Sequence, residues 1–290
     1  MKQDHPFFIK GNIIHGKVLA EHLLEKIKKE VEELSIKPRL AVILVGNNPA
    51  SEIYVNRKKI TCEEMGIKSD VIHLSENTST AKLYSIIEEL NYNYVHGILL
   101  QMPLPLHLNN YEVIQRINPL KDVDGLHHEN IGYLFSSTPR FVPCTPKGCL
   151  EILSRMTEIK SKHVVVVGRS LLVGRPMSAL MLRNHATVTV THRHTKDLEH
   201  FTRQADILIV AAGKPGLITR HHVKKGAIVL DVGITRVHEN GEEILKGDVL
   251  FDEVAPLARY ITPVPGGIGP MTVACLMQNV VKAAQLNMIK

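Results

Sequence analysis

Along this chain, stretches in which apolar residues recur at helical spacing alternate with short, continuous apolar runs of strand length. Between residues 17 and 34 the apolar positions recur at helical spacing, which predicts an amphipathic helix. Continuous apolar runs such as Leu40–Val45 are typical of strands that are covered on both faces. Because the two patterns keep alternating, the sequence predicts a mostly parallel sheet with helices on both sides.

The pattern predicts two consecutive β–α series, and the segment Pro143–Pro146 between them has the composition of a hinge. The last helix should pack back on the first series. The first series is predicted as helix 17–34, strand 40–45, a helix that carries Tyr54 and ends near Gly66, strand 68–74, helix 80–90 and strand 95–100. The second is predicted as helix 147–156, strands 163–168, 187–191, 207–211 and 227–232, and a final helix at about 271–286.

Composition excludes several classes of protein. The longest apolar runs of the 290-residue chain are too short to cross a bilayer, and Met1–Pro6 leads into no secretion signal. The four cysteines form no C-x-x-C pair and lack metal-ligand spacing, so we expect reduced thiols, a cytoplasmic protein and no metal site. The net charge of +6 could favour phosphorylated cofactors or nucleic acid. It is spread along the chain without a basic stripe, which favours a generally basic surface.

Candidate chemistry begins with Tyr54 and Lys58, which the i, i+4 spacing places on one helix face. A phenol ring there could stack on a flat substrate beside an amine that moves protons. Gln101 interrupts an apolar run, and Asp122 and Asp124 form an acidic turn, so the set is typical of a pocket. Each also has an ordinary explanation: polar tips of an amphipathic helix, a strand cap and a shaped turn.

A second candidate site follows the strand that ends at Gly168. A glycine at a strand end lets the backbone approach a phosphate, and the next helix N-terminus favours negative charge. Ser170 occupies the place of the middle glycine in the dinucleotide fingerprint. The turn therefore fits a dinucleotide site and an ordinary β–α turn equally well.

The following strand runs into Arg193. An acid at that position would bind the ribose hydroxyls of NAD, whereas an arginine could pair with the 2′-phosphate of NADP. The alternative is a solvated arginine on a loop.

Five motifs follow one another along nearly the whole chain: Tyr54–Lys58, Gln101–Pro105, Lys121–Gly125, Gly168–Ser170 with Val173–Met177, and Pro263–Thr272. In these motifs the sequence resembles the bifunctional methylenetetrahydrofolate dehydrogenase/methenyltetrahydrofolate cyclohydrolases. Ile60 stands where that family commonly has a basic residue, and Leu171 where it commonly has a polar one.

The resemblance implies two reactions of one-carbon metabolism that supply purine biosynthesis. NADP would oxidise 5,10-methylenetetrahydrofolate to the methenyl form, and water would then convert that product to 10-formyltetrahydrofolate. The implied fold is α/β: a three-layer catalytic, folate-binding domain of residues 1–144 plus 268–290, and a doubly wound, Rossmann-like NADP-binding domain of residues 145–267. It also implies a homodimer formed through the second domain. The spread charge and the short apolar runs lead us to expect neither a nucleic-acid nor a membrane partner.

The resemblance implies roles for individual residues as well. Lys58 matches the catalytic lysine, Gln101 the glutamine that orients it, Tyr54 the ring that stacks on folate, and Asp124 the acid that accepts hydrogen bonds from the pterin. Substrate would also approach the backbone of Pro265, Gly266 and Gly267. Cofactor contacts would come from Gly168, Arg169, Ser170, Gly174, Arg193 and Ile234, the last of which otherwise reads as an ordinary loop residue.

Two alternatives stay open at this point. One is a dehydrogenase that lacks the hydrolase activity. The other is a nucleic-acid-binding protein, suggested by a pI of about 9.0, although the sequence has no clustered basic face.

Overall fold

The structure is a computed structural model that describes residues 6–136, 138–239 and 242–288. The described chain divides into two compact units. One comprises the chain up to Glu21 with Thr145–Thr272, and the other comprises His22–Cys144 with the chain from Val273 onward. We call them the seven-stranded unit and the three-stranded unit, after the largest sheet that the described residues form in each.

The elements, in chain order, are β1 (Ile9–Lys10), β2 (Ile13–Ile14), α1 (Gly16–Glu33), β3 (Arg39–Val45), α2 (Pro49–Glu64), β4 (Lys68–Leu74), α3 (Thr80–Tyr92), β5 (Gly97–Leu100), α4 (Asn110–Ile114), α5 (His128–Ser136), α6 (Cys144–Leu153), β6 (His163–Val167), α7 (Gly174–Arg183), β7 (Thr187–Thr191), α8 (Leu198–Thr202), β8 (Ile207–Val210), a 3-10 turn (Arg220–His222), β9 (Ile228–Asp231), β10 (Thr235–Glu239), β11 (Glu242–Lys246), α9 (Phe251–Val254), β12 (Tyr260–Ile261) and α10 (Ile268–Met288).

The three-stranded unit contains a parallel sheet in the order β4-β3-β5. Strand β3 lies at its centre, and Ile43 pairs with Ile72 on one side and with Leu100 on the other. Every residue of β3 after Arg39 is buried, because apolar side chains cover both faces of the sheet. On one face they come from α3, where Leu83 and Ile87 pack against β3.

Helix α2 begins sharply and so fixes the phase of the side chains that follow. The side chain of Asn48 accepts hydrogen bonds from the N–H groups of Ala50 and Ser51, and Pro49 occupies the first helical position. The predicted helix through Tyr54 and Lys58 is thereby confirmed.

The seven-stranded unit contains a sheet in the order β1-β2-β12-β9-β8-β6-β7. All its neighbouring strands are parallel except β1 and β2. The chain passes from β6 outward to β7 and then returns to the opposite side of β6 to form β8, so the order reverses between β6 and β8. This is the topology of a doubly wound sheet, in which ligands bind beyond the carboxyl ends of the strands at the point of reversal.

The compact units differ from the expected domains at two places. Residues up to Glu21 belong to the seven-stranded unit, because Ile13 of β2 pairs with Ile261 of β12 and extends that sheet. The unit boundary near the chain's end lies after Thr272 and not before residue 268. From Val273 onward α10 belongs to the three-stranded unit, as predicted for the last helix.

The expected hinge at Pro143–Pro146 falls where one unit ends and the next begins, and α6 already starts at Cys144. Pro146 therefore lies in the first turn of the helix, where its missing N–H removes no intrahelical bond. None of the helices in the described ranges is long and apolar enough to cross a membrane.

Candidate active site

The centre of the three-stranded unit's site is a hydrogen bond between Lys58 on α2 and Gln101, which follows β5. The Lys58 Nζ donates to Gln101 Oε1 at 2.8 Å. Gln101 Nε2 in turn donates to the carbonyl of Met102 at 2.7 Å, and the Gln101 backbone N–H bonds the carbonyl of Ile43 at 2.9 Å. Because the amide nitrogen is already committed to Met102, the oxygen must face the lysine. The sheet thus orients the glutamine, and the glutamine orients the amine.

The two aspartates of the acidic turn have different surroundings. Asp122 is buried, and its carboxylate accepts hydrogen bonds from the N–H groups of Gly125 and His127 and from Asn130 Nδ2, at 3.1, 2.8 and 2.8 Å. Asp122 therefore shapes the turn. Asp124 is half-buried and accepts a hydrogen bond from the backbone N–H of Cys144, whose thiol donates to the carbonyl of Val123 at 3.5 Å.

The electrostatics of the site favour a lysine that is less basic than usual. Burial lowers the pKa of Lys58, and the negative charge of Asp124 opposes that shift without reversing it. Burial likewise raises the pKa of Asp124, against the opposing effects of Lys58 and Cys144. Burial raises the pKa of the nearby Cys62 thiol to about 12, so this group stays neutral. A larger share of Lys58 is therefore a neutral amine at neutral pH than for a lysine in water.

The Gly168 turn of the seven-stranded unit depends on two glycines at places where the backbone is closely packed. Gly168 has φ +114°, and a Cβ there would lie 2.1 Å from the carbonyl oxygen of Ala211. A Cβ on Gly174 would lie 2.1 Å from the carbonyl oxygen of Gly168. Only glycine fits either position, so the turn packs closely against the loop after β8 and against the N-terminus of α7, which favours negative charge. Ser170 replaces the fingerprint's middle glycine, and its Oγ accepts a hydrogen bond from the Val173 N–H at 3.2 Å.

The other predicted cofactor residues lie in the same unit. Arg169 is exposed beside Ser170 in the turn. Arg193 is exposed two residues beyond β7, and its Nε–H donates to His194 Nε2 at 3.1 Å. Ile234 lies in the loop after β9 and is 38% exposed. A glycine-lined turn, a helix N-terminus and a nearby arginine together suit a dinucleotide that carries an extra phosphate.

Pro265, Gly266 and Gly267 also belong to the seven-stranded unit, just before α10. Gly266 has φ +99°, and a Cβ there would meet open space. Gly267 is buried, and a Cβ there would lie 2.5 Å from the carbonyl oxygen of Pro263. Backbone conformation accounts for the first glycine and close packing for the second.

The structure thus brings Lys58, Gln101 and Asp124 into one unit, with Tyr54 half-buried one helical turn before Lys58. Sequence reasoning missed Cys144 and the carbonyl of Met102. Neither could be recognised from the sequence, because a main-chain carbonyl and a single thiol gain their hydrogen-bond partners only when the chain is folded. Over the described ranges, no group of three or more His, Cys, Asp and Glu side chains could hold a metal ion.

Comparison with known proteins identifies the family. Residues 14–124 match the catalytic domain of tetrahydrofolate dehydrogenase/cyclohydrolase, and residues 143–288 match its NAD(P)-binding domain. The Bifunctional protein FolD of Agathobacter rectalis is 51% identical over 278 residues, which cover 94% of this chain and 99% of the relative.

Two solved structures extend the comparison. The bifunctional enzyme FolD of Campylobacter jejuni is 46% identical, with a TM-score of 0.89 over 95% of this chain and 99% of that one. The Trypanosoma brucei enzyme, solved with NADP cofactor and inhibitor, is 34% identical, with a TM-score of 0.92 over 96% of this chain and 98% of that one. The chain therefore belongs to the tetrahydrofolate dehydrogenase/cyclohydrolase family.

Proposed function

We propose that this protein is a bifunctional folate enzyme. It oxidises 5,10-methylenetetrahydrofolate to 5,10-methenyltetrahydrofolate with NADP, and it hydrolyses that product to 10-formyltetrahydrofolate. Family membership supports both reactions. The single observation that carries the hydrolysis is the Lys58 amine, which Gln101 orients and burial makes less basic.

Hydrolysis requires a group that accepts and returns protons. Water attacks the methenyl carbon, and neutral Lys58 Nζ takes the proton that the water loses. The bond from that carbon to N5 then breaks, and the ammonium of Lys58 returns the proton to N5. The hydroxyl left on the carbon loses its proton to solvent as the formyl carbonyl forms on N10, so one proton is released overall. Lowering the pKa of Lys58 increases the share of neutral amine that starts this cycle.

Five further residues contact the folate in this proposal. Asp124 accepts hydrogen bonds from the pterin amino and ring N–H groups, and the bond from the Cys144 backbone N–H helps to fix the carboxylate for that task. Tyr54 stacks on the folate one helical turn from Lys58. The backbone of Pro265, Gly266 and Gly267 approaches the substrate without a side chain at either glycine.

The oxidation is mainly a matter of positioning. NADP supplies the acceptor for the hydride that leaves the one-carbon bridge. In the seven-stranded unit, Gly168, Arg169, Ser170 and Gly174 hold the pyrophosphate at the start of α7. Arg193 pairs with the 2′-phosphate, and Ile234 meets the cofactor through its backbone.

Purified protein tests both activities separately. With methylenetetrahydrofolate and NADP, we expect absorbance of the methenyl product to appear, and with NAD at equal concentration a much slower rate. With methenyltetrahydrofolate and no cofactor, we expect that absorbance to disappear faster than in buffer. If oxidation is observed but hydrolysis without cofactor is not, the protein is a dehydrogenase only. Absence of both activities would refute the proposal.

Assembly and location are part of the proposal. We expect a homodimer formed through the seven-stranded unit, which light scattering of the purified protein tests. A cytoplasmic location is consistent with the four cysteines, all of which are buried thiols without a disulfide. Retention on DNA or RNA at low salt would instead favour a nucleic-acid partner.

A further inference from the structure

Asp231 and Asp248 are buried acids in the seven-stranded unit that the proposed reactions leave without a role. Asp231 ends β9 and is 4% exposed, and Asp248 follows β11 and is 0% exposed. Within the described residues neither forms an ion pair with a lysine, arginine or histidine. A buried carboxylate is costly unless hydrogen bonds compensate it, so their partners indicate what they do.

The two carboxylates accept backbone N–H groups in series. Asp231 Oδ1 accepts the N–H groups of Gly233 and Asp248, both at 3.0 Å, and Asp231 Oδ2 accepts that of Val249 at 2.9 Å. Asp248 Oδ2 then accepts the N–H groups of Ala212 and Gly213, at 2.6 and 2.9 Å. Asp231 therefore fixes the backbone of Asp248, and Asp248 fixes the loop after β8.

Two glycines make room for these carboxylates. A Cβ on Gly233 would lie 2.2 Å from Asp248 Cγ, and a Cβ on Gly247 would lie 2.0 Å from Asp231 Oδ2. The Asp248 Oδ1 atom is buried and has no hydrogen-bond partner among the described residues. An apolar residue would leave the Ala212 and Gly213 N–H groups without an acceptor, so the carboxylate serves these two donors and not packing alone.

The fixed loops border the place where a doubly wound sheet binds its ligand. The strand order reverses between β6 and β8, and the β8 loop touches the Gly168 turn, where Ala211 carbonyl oxygen lies 2.1 Å from a Cβ placed on Gly168. Gly233, held by Asp231, directly precedes Ile234. Arg193 marks the adenosine side beyond β7, and the Gly168 turn marks the phosphates. The loops after β8 and β9 therefore face the remaining half of the cofactor, which carries the nicotinamide.

We propose that Asp231 and Asp248 are positioning residues that hold the loops after β8 and β9 in the shape that receives the nicotinamide half of NADP. This inference rests on the proposed function. The carboxylates touch neither cofactor nor substrate in this arrangement and act through Ala212, Gly213 and Gly233.

The bifunctional enzyme supplies its own control, because hydrolysis of methenyltetrahydrofolate needs no cofactor. In Asp248→Asn we expect the Kd for NADP, measured by direct titration calorimetry, to rise about tenfold or more, because a charge-assisted acceptor of two N–H groups is weakened. The KM for NADP should rise in parallel, while cofactor-free hydrolysis stays within about twofold of wild type. Asp252→Asn is the matched control, since this acid is exposed in the same unit and should leave the Kd unchanged.

A second variant keeps both acidic side chains. Gly233→Ala places a methyl group where the Asp248 carboxylate lies, so it should weaken NADP binding in the same way. An unchanged Kd in Asp248→Asn would overturn the proposal. A loss of hydrolysis together with NADP binding in both variants would also overturn the proposal, because Asp231 and Asp248 would then be needed for folding in general. If wild-type protein lacks both activities, the proposed function fails instead, and the two failures are thereby distinguished.

Discussion

The hydrogen bond from Lys58 to Gln101 should control how basic the Lys58 amine is. Gln101 Oε1 is an acceptor 2.8 Å from Nζ, and it stabilises the ammonium more than the neutral amine. Gln101→Met removes the acceptor while keeping a side chain of similar length. Gln101→Glu places a negative charge at the same distance. The two substitutions should therefore move the pKa of Lys58 in opposite directions.

The size of the effect follows from the type of bond. A hydrogen bond to a charged group contributes about 1.5–3 kcal/mol, and about 1.4 kcal/mol corresponds to one pH unit. The Lys58–Gln101 contact is buried on the glutamine side, so solvent screens it weakly. We expect the rising limb of the hydrolysis rate against pH to move down by about one pH unit in Gln101→Met and up by a similar amount in Gln101→Glu. The limiting rate of Gln101→Met should also fall, because the amine is less well oriented.

The assay is the initial rate of methenyltetrahydrofolate disappearance without cofactor, corrected for the buffer reaction at each pH. Wild type and both variants are measured over the same pH range at saturating substrate, so that the profile reports the enzyme–substrate complex. A limb that stays in place in both variants, or moves the same way in both, would refute the electrostatic role of Gln101.

Three other predictions concern separate parts of the molecule. Asp124→Asn should raise the KM for folate about tenfold or more in both reactions, because in the proposed mechanism this carboxylate binds the pterin in both; an unchanged KM in steady-state assays would contradict that role. Arg193→Ser should raise the KM for NADP by about tenfold or more and leave that for NAD nearly unchanged, with Arg183→Ser as an exposed control; equal effects on the two cofactors would count against a 2′-phosphate contact. Burial raises the pKa of Asp231 to about 7, with the charge of Asp248 adding to the shift. Between about pH 4 and pH 7 the folded protein therefore keeps a proton on Asp231 that the unfolded chain has released. The resulting contribution to stability is complete below about pH 4 and is lost as the pH rises through 7. Urea titrations at several pH values should show a smaller loss of unfolding free energy over that range in Asp231→Asn than in wild type, by up to about 4 kcal/mol; parallel pH dependences would contradict it.

Much of the architecture was predictable because its elements are long and periodic. The apolar positions Leu19, Leu23, Ile27 and Val31 are all buried along α1, as the helical spacing requires. Strand β3 and helix α2 were recognisable from a continuous apolar run and from turn residues between them. Those turn residues set where α2 begins, and the i, i+4 spacing then places Tyr54 and Lys58 on one face of the helix.

The elements that escaped prediction are short or depend on distant partners. Strands β1, β2 and β12 are two residues long, and a two-residue strand has no period to detect. Strands β2 and β12 pair with each other although most of the chain separates them in sequence, so no local pattern indicates them. Strands β10 and β11 pair with each other in antiparallel orientation, and their sequence was not recognised as strand.

The site was only partly readable for a similar reason. Lys58 and Gln101 are 43 positions apart, and their contact depends on the parallel pairing of β3 with β5. The residues alone indicated a pocket, and the family resemblance supplied the pairing. Asp248 carried no local signal at all, since its partners Ala212 and Gly213 lie more than 30 positions away in a different loop.

In the proposed mechanism Lys58 moves protons during hydrolysis and has little part in the oxidation. Its most direct test is the ratio of the two activities in Lys58→Gln, measured beside Lys59→Gln, the exposed neighbour with the same change of charge. We predict that hydrolysis without cofactor falls by about a hundredfold or more in Lys58→Gln, as for loss of a general acid–base group, while oxidation with NADP falls less than about tenfold. Lys59→Gln should retain both activities. Hydrolysis in Lys58→Gln at the wild-type rate would contradict the account.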